Sequence, residues 1–267
     1  MEAEKNKIRL LVRGDDIGSS HSANVACIKS YTDGILRSVE LMTVCPWFEE
    51  ACILLNQHED LDVGIHLTIT SEWETVKWKP ITNAKSLIDD NGCFYPMVSG
   101  DKYYPKEKSI AYHDWKLEEI ETEFRAQIEL GLKRLGRASH LSYHMNCHKL
   151  DSKLETLCVD LAKEYNLIDI EIGEQNIQQI NGYRGVSDHE ERVEVFIQNL
   201  KDLSPGDYLF IDHPSLNTEE MKATRHHGYE HVAEDRYSCF RVFTNKKIMQ
   251  VIDELGIELI NYTDLKR

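Results

Sequence analysis

Short apolar runs alternate along the chain with stretches whose apolar residues recur every three to four positions. Residues 8–12 (Ile-Arg-Leu-Leu-Val) read as a strand. Val25, Ile28 and Tyr31 share one side of a helix over residues 22–33, and Gly34 is placed as its stop. Residues 38–44 read as a second strand. Pro46 opens a helix reaching about residue 57, and residues 63–67 read as a third strand. From about 71 to 114 the rhythm breaks. That segment holds Pro80, Pro96, Pro105 and patches of Trp and Tyr, with little periodicity. An insertion of such length is more often functional than idle. Periodicity returns with Leu117, Ile120, Phe124, Ile128 and Leu135, which define a long helix. His140–Tyr143 is a short strand candidate. Leu154, Leu157, Cys158 and Leu161 mark the next helix, and residues 169–172 read as a strand. Val193, Phe196, Ile197 and Leu200 form another helical face, followed by a strand at 208–211. Ile248, Val251, Ile252 and Leu255 form the last helical face, Gly256 stops it, and Glu258–Ile260 close the chain as a strand.

Strands alternating with helices mean βα units and a parallel sheet. The number of units in 267 residues points to an α/β barrel or barrel-like closed sheet. We expect a single domain over 1–267, with 71–114 inserted after the third strand.

Composition narrows the class. At 41% hydrophobic and 29% charged, the chain is neither disordered nor collagen-like. No apolar run approaches the roughly 18–20 residues of a membrane span. The formal net charge of −15 disfavours nucleic acid and anionic membranes as partners, while a locally basic pocket for a small anion stays open. The charged start, Met1 to Lys7, does not read as a secretory signal, and none is expected. Seven Cys, an odd count without a C-x-x-C pair, read as reduced thiols of a cytoplasmic protein.

In parallel α/β folds ligands bind at the C-terminal ends of the strands. Gly14-Asp15-Asp16-Ile17-Gly18 follows the first strand, and Gly64-Ile65-His66-Leu67 ends the third. His144 follows the His140 strand, and Asp212-His213-Pro214 follows the strand at 208–211. Each has a plain alternative. The Asp pair could be a turn and helix cap. His66 could be a satisfied core histidine. His140, His144 and His148 could share one solvated helix face, and His213-Pro214 could simply end a strand. His226, His227 and His231 read as a surface patch. Four strands delivering Asp or His to one rim make a shared site the better reading. One carboxylate and two imidazoles from three strand ends can form an open metal site, which suits zinc or another first-row ion better than oxygen-seeking magnesium. A second carboxylate beside it can serve as a base, and a His on the far side as an acid.

These residues resemble the motifs of the YdjC-like (ChbG-type) carbohydrate deacetylases. The Asp-Asp-x-Gly motif is Asp15-Asp16-Ile17-Gly18, and Gly-x-His-Leu is Gly64-Ile65-His66-Leu67. The His-rich segment is His140-Leu141-Ser142-Tyr143-His144-Met145-Asn146-Cys147-His148, and the late His-Pro is His213-Pro214. The resemblance spans roughly residues 8–265. It implies an irregular TIM-like (β/α) barrel of the polysaccharide-deacetylase kind and one divalent metal ion, Zn2+ or Mg2+. It implies Asp16, His66 and His144 as metal ligands, Asp15 as catalytic base and His213 as catalytic acid. The implied reaction removes N-acetyl groups from an amino-sugar oligosaccharide, such as a chitooligosaccharide or its phosphate. Arg13-Gly14, Ser142-Tyr143 and Asn146 depart from the family's Asn-Ala, Asp-Ser and His. Arg13 and Arg184 could serve a sugar phosphate or be ordinary surface arginines. Trp73, Trp78, Tyr95, Tyr103 and Tyr104 suit a sugar-stacking lid or a homodimer contact. Rival readings are hydrolysis of another bond in a sugar phosphate and a non-catalytic carbohydrate-binding protein. Intact Asp15 and His213 argue against the last.

Overall fold

A computed structural model describes residues 7–100, 102–169 and 177–265. In chain order the elements are β1 (Ile8–Ile17), α1 (His21–Thr32), β2 (Ser38–Leu41), α2 (Phe48–Asn56) and β3 (Asp62–Leu67). Then come α3 (Leu117–Leu135), β4 (His140–Tyr143), α4 (Ser152–Glu164), β5 (Ile168–Asp169), β6 (Ile177–Gln179) and α5 (His189–Lys201). The chain ends with β7 (Gly206–Asp212), α6 (Glu219–Ala223), α7 (Val232–Phe243), α8 (Lys246–Leu255) and β8 (Glu258–Ile260). Of the strand expected at 169–172, residues 170–172 lie outside the described residues. Among the described residues no helix is long and apolar enough to cross a membrane.

The strands pair in the order β5-β4-β3-β2-β1-β7-β6, with β8 also on β1. Every pairing is parallel. β1 lies at the centre and changes neighbours along its length. Its lower half pairs with β8 (Leu10 opposite Leu259) and its upper half with β2 (Gly14 opposite Val39). The sheet curls into a half-barrel. Among the described residues β5 and β6 do not pair.

Side chains alternate between the two faces of a strand. Leu10, Val12, Val39, Leu41 and Val63 face outward onto α1, α2, α5, α7 and α8, in a core that includes Cys27, Phe48, Phe196, Phe243 and Ile248. Ile65, Leu67, Leu141 and Tyr143 face α3 and α4. The 71–114 segment joins this second core through Trp73, Trp78, Leu87, Phe94 and Ile110. It is also pinned to α3: buried Glu123 accepts from the backbone of Ile81 (3.0 Å) and Thr82 (2.9 Å). The complementary residues face the lumen. Leu11, Leu209, Ile260 and Tyr262 cluster there as an apolar floor. Above it the lumen is polar, with buried Arg13, Ser38, Glu40, Asp62, His140 and Ser142.

Candidate active site and metal centre

The site grows out of this polar lumen. The register sets Glu40 opposite Gly64 and Gly64 opposite His140, all on one level. A Cβ at Gly64 would collide with the His140 ring and the Glu40 carboxylate. Glycine there lets the two meet across β3, with His140 Nε2 2.6 Å from Glu40 Oε1. One level higher, His66 lies opposite Ser142.

Asp15 and Asp16 are adjacent, yet both are buried polar residues. A β-bulge explains this. Between Gly14 and Ile17 the pairing with β2 advances only from Val39 to Leu41, so β1 carries one extra residue. Asp16 absorbs it in the left-handed region (φ 71°). The sequence reading ends the strand at 12 and leaves the pair in a loop; the strand in fact runs through both. The cap of α1 is Ser20, which accepts from Ala23 N, so the Asp pair is not a helix cap.

Asp16 Oδ1 lies 3.4 Å from His144 Nδ1 and 3.7 Å from His66 Nε2. Asp16, His66 and His144 are the one group among the described residues able to hold a metal ion, with ligand atoms within 4.8 Å of one another. Asp16 Oδ1 is buried and makes no hydrogen bond. A lone buried carboxylate oxygen is costly, and a cation between it and the two rings would satisfy it. One oxygen and two nitrogens also match what such an ion takes. The residues therefore fit the implied metal.

Both rings are held from behind. The carboxylate of Glu40 is ionised, because His140 and Arg13 outweigh burial and hold it down at about 2. An ionised carboxylate only accepts, so Ser142 donates its single proton to Glu40. Ser142 Oγ then accepts from His66 Nδ1–H at 2.7 Å. That leaves the lone pair on His66 Nε2, facing Asp16. On the other side, His144 Nε2 contacts Glu72 Oε2 at 3.0 Å, which turns Nδ1 toward Asp16. Burial pushes His66 down to about 4. For His144 burial works in the same direction, but Glu72 and Asp16 outweigh it and lift the ring to about 10.

Asp15 is gripped by Arg13, Nε to Oδ1 at 2.7 Å and Nη2 to Oδ2 at 2.9 Å. Arg13 also donates to Tyr262 Oη at 3.0 Å. Arg13 faces the lumen and is buried, so it is not a surface arginine. His213 stands at the rim, its side chain 38% exposed, with Nε2 3.9 Å from Asp16 Oδ2. Its Nδ1 is 3.7 Å from Asp212 Oδ1. Partial burial opposes its charge, yet Asp16 and Asp212 raise its pKa. Tyr183 donates to Asp212 and steadies that carboxylate.

Four partners escape the sequence reading as site residues. Arg236 on α7 pairs with Asp16 Oδ2 at 2.8 Å. Together with His213 and His144 it outweighs burial and holds Asp16 well below the usual carboxylate range. Glu72, Glu40 and Ser142 are the others. An acidic residue soon after the His66 strand was the only local signal for Glu72. Arg236 has none, since a single arginine inside a helix looks like a surface residue. His226, read as surface, stacks on Trp73 at 5.4 Å, and the guanidinium of Arg236 lies 5.1 Å over the same indole. Trp73, Trp78 and Tyr104 are buried and hold the inserted segment together, while Tyr95 stacks on His113 and Tyr103 is exposed. The three spaced histidines do not share a face. His140 stacks on Tyr262 at 3.5 Å lower in the lumen, His144 reaches Asp16, and His148 packs by Tyr143. Arg184 lies on the wall of a cavity that also includes His213.

Relatives share this chain over nearly its full length. A carbohydrate deacetylase of Clostridium beijerinckii is 30% identical, covering 97% of this chain and 100% of that protein. The crystal structure of a candidate cellobiose-phosphate cleavage protein from Enterococcus faecalis V583 superposes with a TM-score of 0.74 at 22% identity, covering 97% of this chain and 99% of the other. The Bc1960 peptidoglycan N-acetylglucosamine deacetylase has the same fold at a TM-score of 0.50 and 12% identity, over 98% of this chain and 89% of the other. The family model described as YdjC-like protein matches residues 9–254, and with the half-barrel and its Asp-His-His rim already in place, the chain belongs to the YdjC-like family.

Proposed function

We propose that the protein is a metal-dependent N-deacetylase that hydrolyses the acetamide of an amino-sugar oligosaccharide, a chitooligosaccharide or its phosphate. The observation that carries this reading is the rim itself: an orphaned carboxylate oxygen between two imidazoles, with a held carboxylate and a held imidazole close by. The deacetylase name of the Clostridium beijerinckii relative supports the same reaction.

Asp16, His66 and His144 would hold the ion, and the mixed donor set favours a first-row ion such as zinc over magnesium. When bound, it supplies a Lewis acid and an acidified water. Asp15 accepts the proton of the attacking water. Arg13 engages both of its oxygens and so fixes their direction, while each oxygen keeps a second lone pair for that proton. His213 carries its proton because Asp16 and Asp212 favour the charged ring, and it delivers that proton from Nε2 to the departing nitrogen. Asp212 holds the opposite ring nitrogen. We place the enzyme in the cytoplasm, since an odd count of seven cysteines without a C-x-x-C pair, all of them buried, suits a reducing compartment.

The test is acetate release from a panel of N-acetylated chitooligosaccharides and their phosphates, by chelator-stripped and zinc-reloaded protein. Release that appears only on reloading is expected. Metal-independent release, or cleavage of a disaccharide phosphate lacking an acetamide with none of the acetylated sugars turned over, would overturn the proposal.

A further inference from the structure

A cavity of about 330 Å3 opens at the C-terminal ends of β6 and β7, directly beyond His213 and Asp212. Its size falls at the small end of ligand pockets, about 300–1,000 Å3. Part of its wall is already committed: Tyr183 donates to Asp212, and Arg192 pairs with Asp235. Gln179, Asn181 and Arg184 differ. They line the same cavity, they are exposed, and among the described residues their side chains make no hydrogen bond or ion pair.

The direction of the reaction gives this cavity a meaning. In the proposed hydrolysis the acetyl carbon lies by Asp16, His66 and His144, and the nitrogen faces His213. Hydrolysis breaks the bond between carbonyl carbon and nitrogen; water supplies the hydroxyl of acetate, and the nitrogen leaves protonated, still bonded to its sugar ring. The ring must therefore lie on the His213 side, away from Asp16. The cavity occupies that side.

We infer that this cavity is the subsite for the amino-sugar ring bearing the scissile acetamide, and that Gln179, Asn181 and Arg184 read its hydroxyls. Carboxamides both donate and accept, as hydroxyls do, and a guanidinium offers several fixed donors. Among the described lining residues none presents an exposed aromatic face, which favours recognition by hydrogen bonds over stacking. The inference rests on the deacetylase reading, and its test separates the two.

Metal-free protein is titrated with N,N'-diacetylchitobiose while the side-chain amide signals of Gln179 and Asn181 are followed by NMR. The kinetics of Asn181→Ala and Arg184→Ala on the same sugar are measured on zinc-loaded enzyme. Shifts of both amides are expected, with KM rising about tenfold in each variant, the order of one lost hydrogen bond, and kcat changing far less. Sugar that binds without moving either amide, or variants with wild-type KM, would overturn the subsite. Amide shifts without any acetate release would keep the cavity as a sugar site and overturn the deacetylase reading, and with it the placement of a scissile acetamide there. No binding and no turnover would overturn both.

Discussion

Adjacent aspartates at positions 15 and 16 have the same chemistry and different neighbours. The bulge in β1 turns both into the lumen, where Asp15 meets Arg13 and Asp16 meets His66, His144 and Arg236. Their substitutions should separate accordingly. Asp16→Ala should abolish tight zinc binding while the fold persists, because it removes the orphaned oxygen around which the two rings converge. Asp15→Asn should keep its metal and lose ~10²–10⁴-fold in kcat, the usual worth of a positioned general base, or roughly 3–5 kcal/mol. Metal content and kcat of the two purified variants decide this. An Asp15→Asn protein that has lost its zinc would show that the roles are reversed. The types of these residues and their order along the chain were visible in the sequence. Arg236 was not, because its meaning comes only from the carboxylate it reaches.

At the scale of elements, strands β2, β3 and β4 act together through a single hydroxyl. Glu40 on β2 receives the proton of Ser142 on β4, and Ser142 receives that of His66 on β3. In the sequence, Ser142 is only a departure from the family's aspartate. In the fold the carboxylate is supplied from the next strand but one, with serine as the link. Groups that orient a metal-binding histidine are typically worth 10–100-fold in metal affinity. Ser142→Ala should weaken zinc binding by about that factor, and Ser142→Asp, which brings the carboxylate directly to His66, should restore part of it. Competition titration with a chromophoric chelator reads both; an unchanged affinity in Ser142→Ala would remove the relay from the site. Element boundaries show a related pattern. β3, β4, β7 and β8 lie where apolar runs place them, whereas β2 stops at Leu41, three residues short of its expected end. β1 continues five residues past its apolar run, to Ile17, because its upper lumen face is polar and Arg13 and Asp15 belong inside. α7 carries no clear apolar period in the sequence because its buried side includes Arg236 and Ser238, which interrupt Val232, Ala233, Cys239, Val242 and Phe243. β6, three residues with a single apolar one, offers no pattern at all.

The whole molecule places charged groups where most domains place apolar ones, and its response to pH should show it. Burial would raise the Glu40 carboxyl, but His140 and Arg13 prevail and hold it at about 2, against an ordinary 4.5. The unfolded chain therefore takes up this proton first as the pH falls. Stability from Glu40 is complete above about pH 4.5 and is lost as the pH falls toward 2, a total of roughly 3 kcal/mol, with about half gone near pH 3. Urea unfolding of wild type and Glu40→Gln near pH 6 and near pH 3 tests this. The gap between the two should narrow in acid, and a gap of constant size would contradict the linkage. By itself the sequence determined the parallel α/β architecture, because strand and helix periods are local properties. It also determined that Asp15, Asp16, His66, His144 and His213 fall near one rim, because every parallel strand ends on the same side of its sheet. Only the tertiary structure decided which partners hold those residues. Arg13 turns inward to Asp15, Glu40 reaches His66 through Ser142, and Glu72 and Arg236 arrive from an aperiodic segment and a distant helix. Those pairings depend on the curl of the sheet, the bulge in β1 and the packing of α7, which are long-range outcomes that no local pattern of residues encodes.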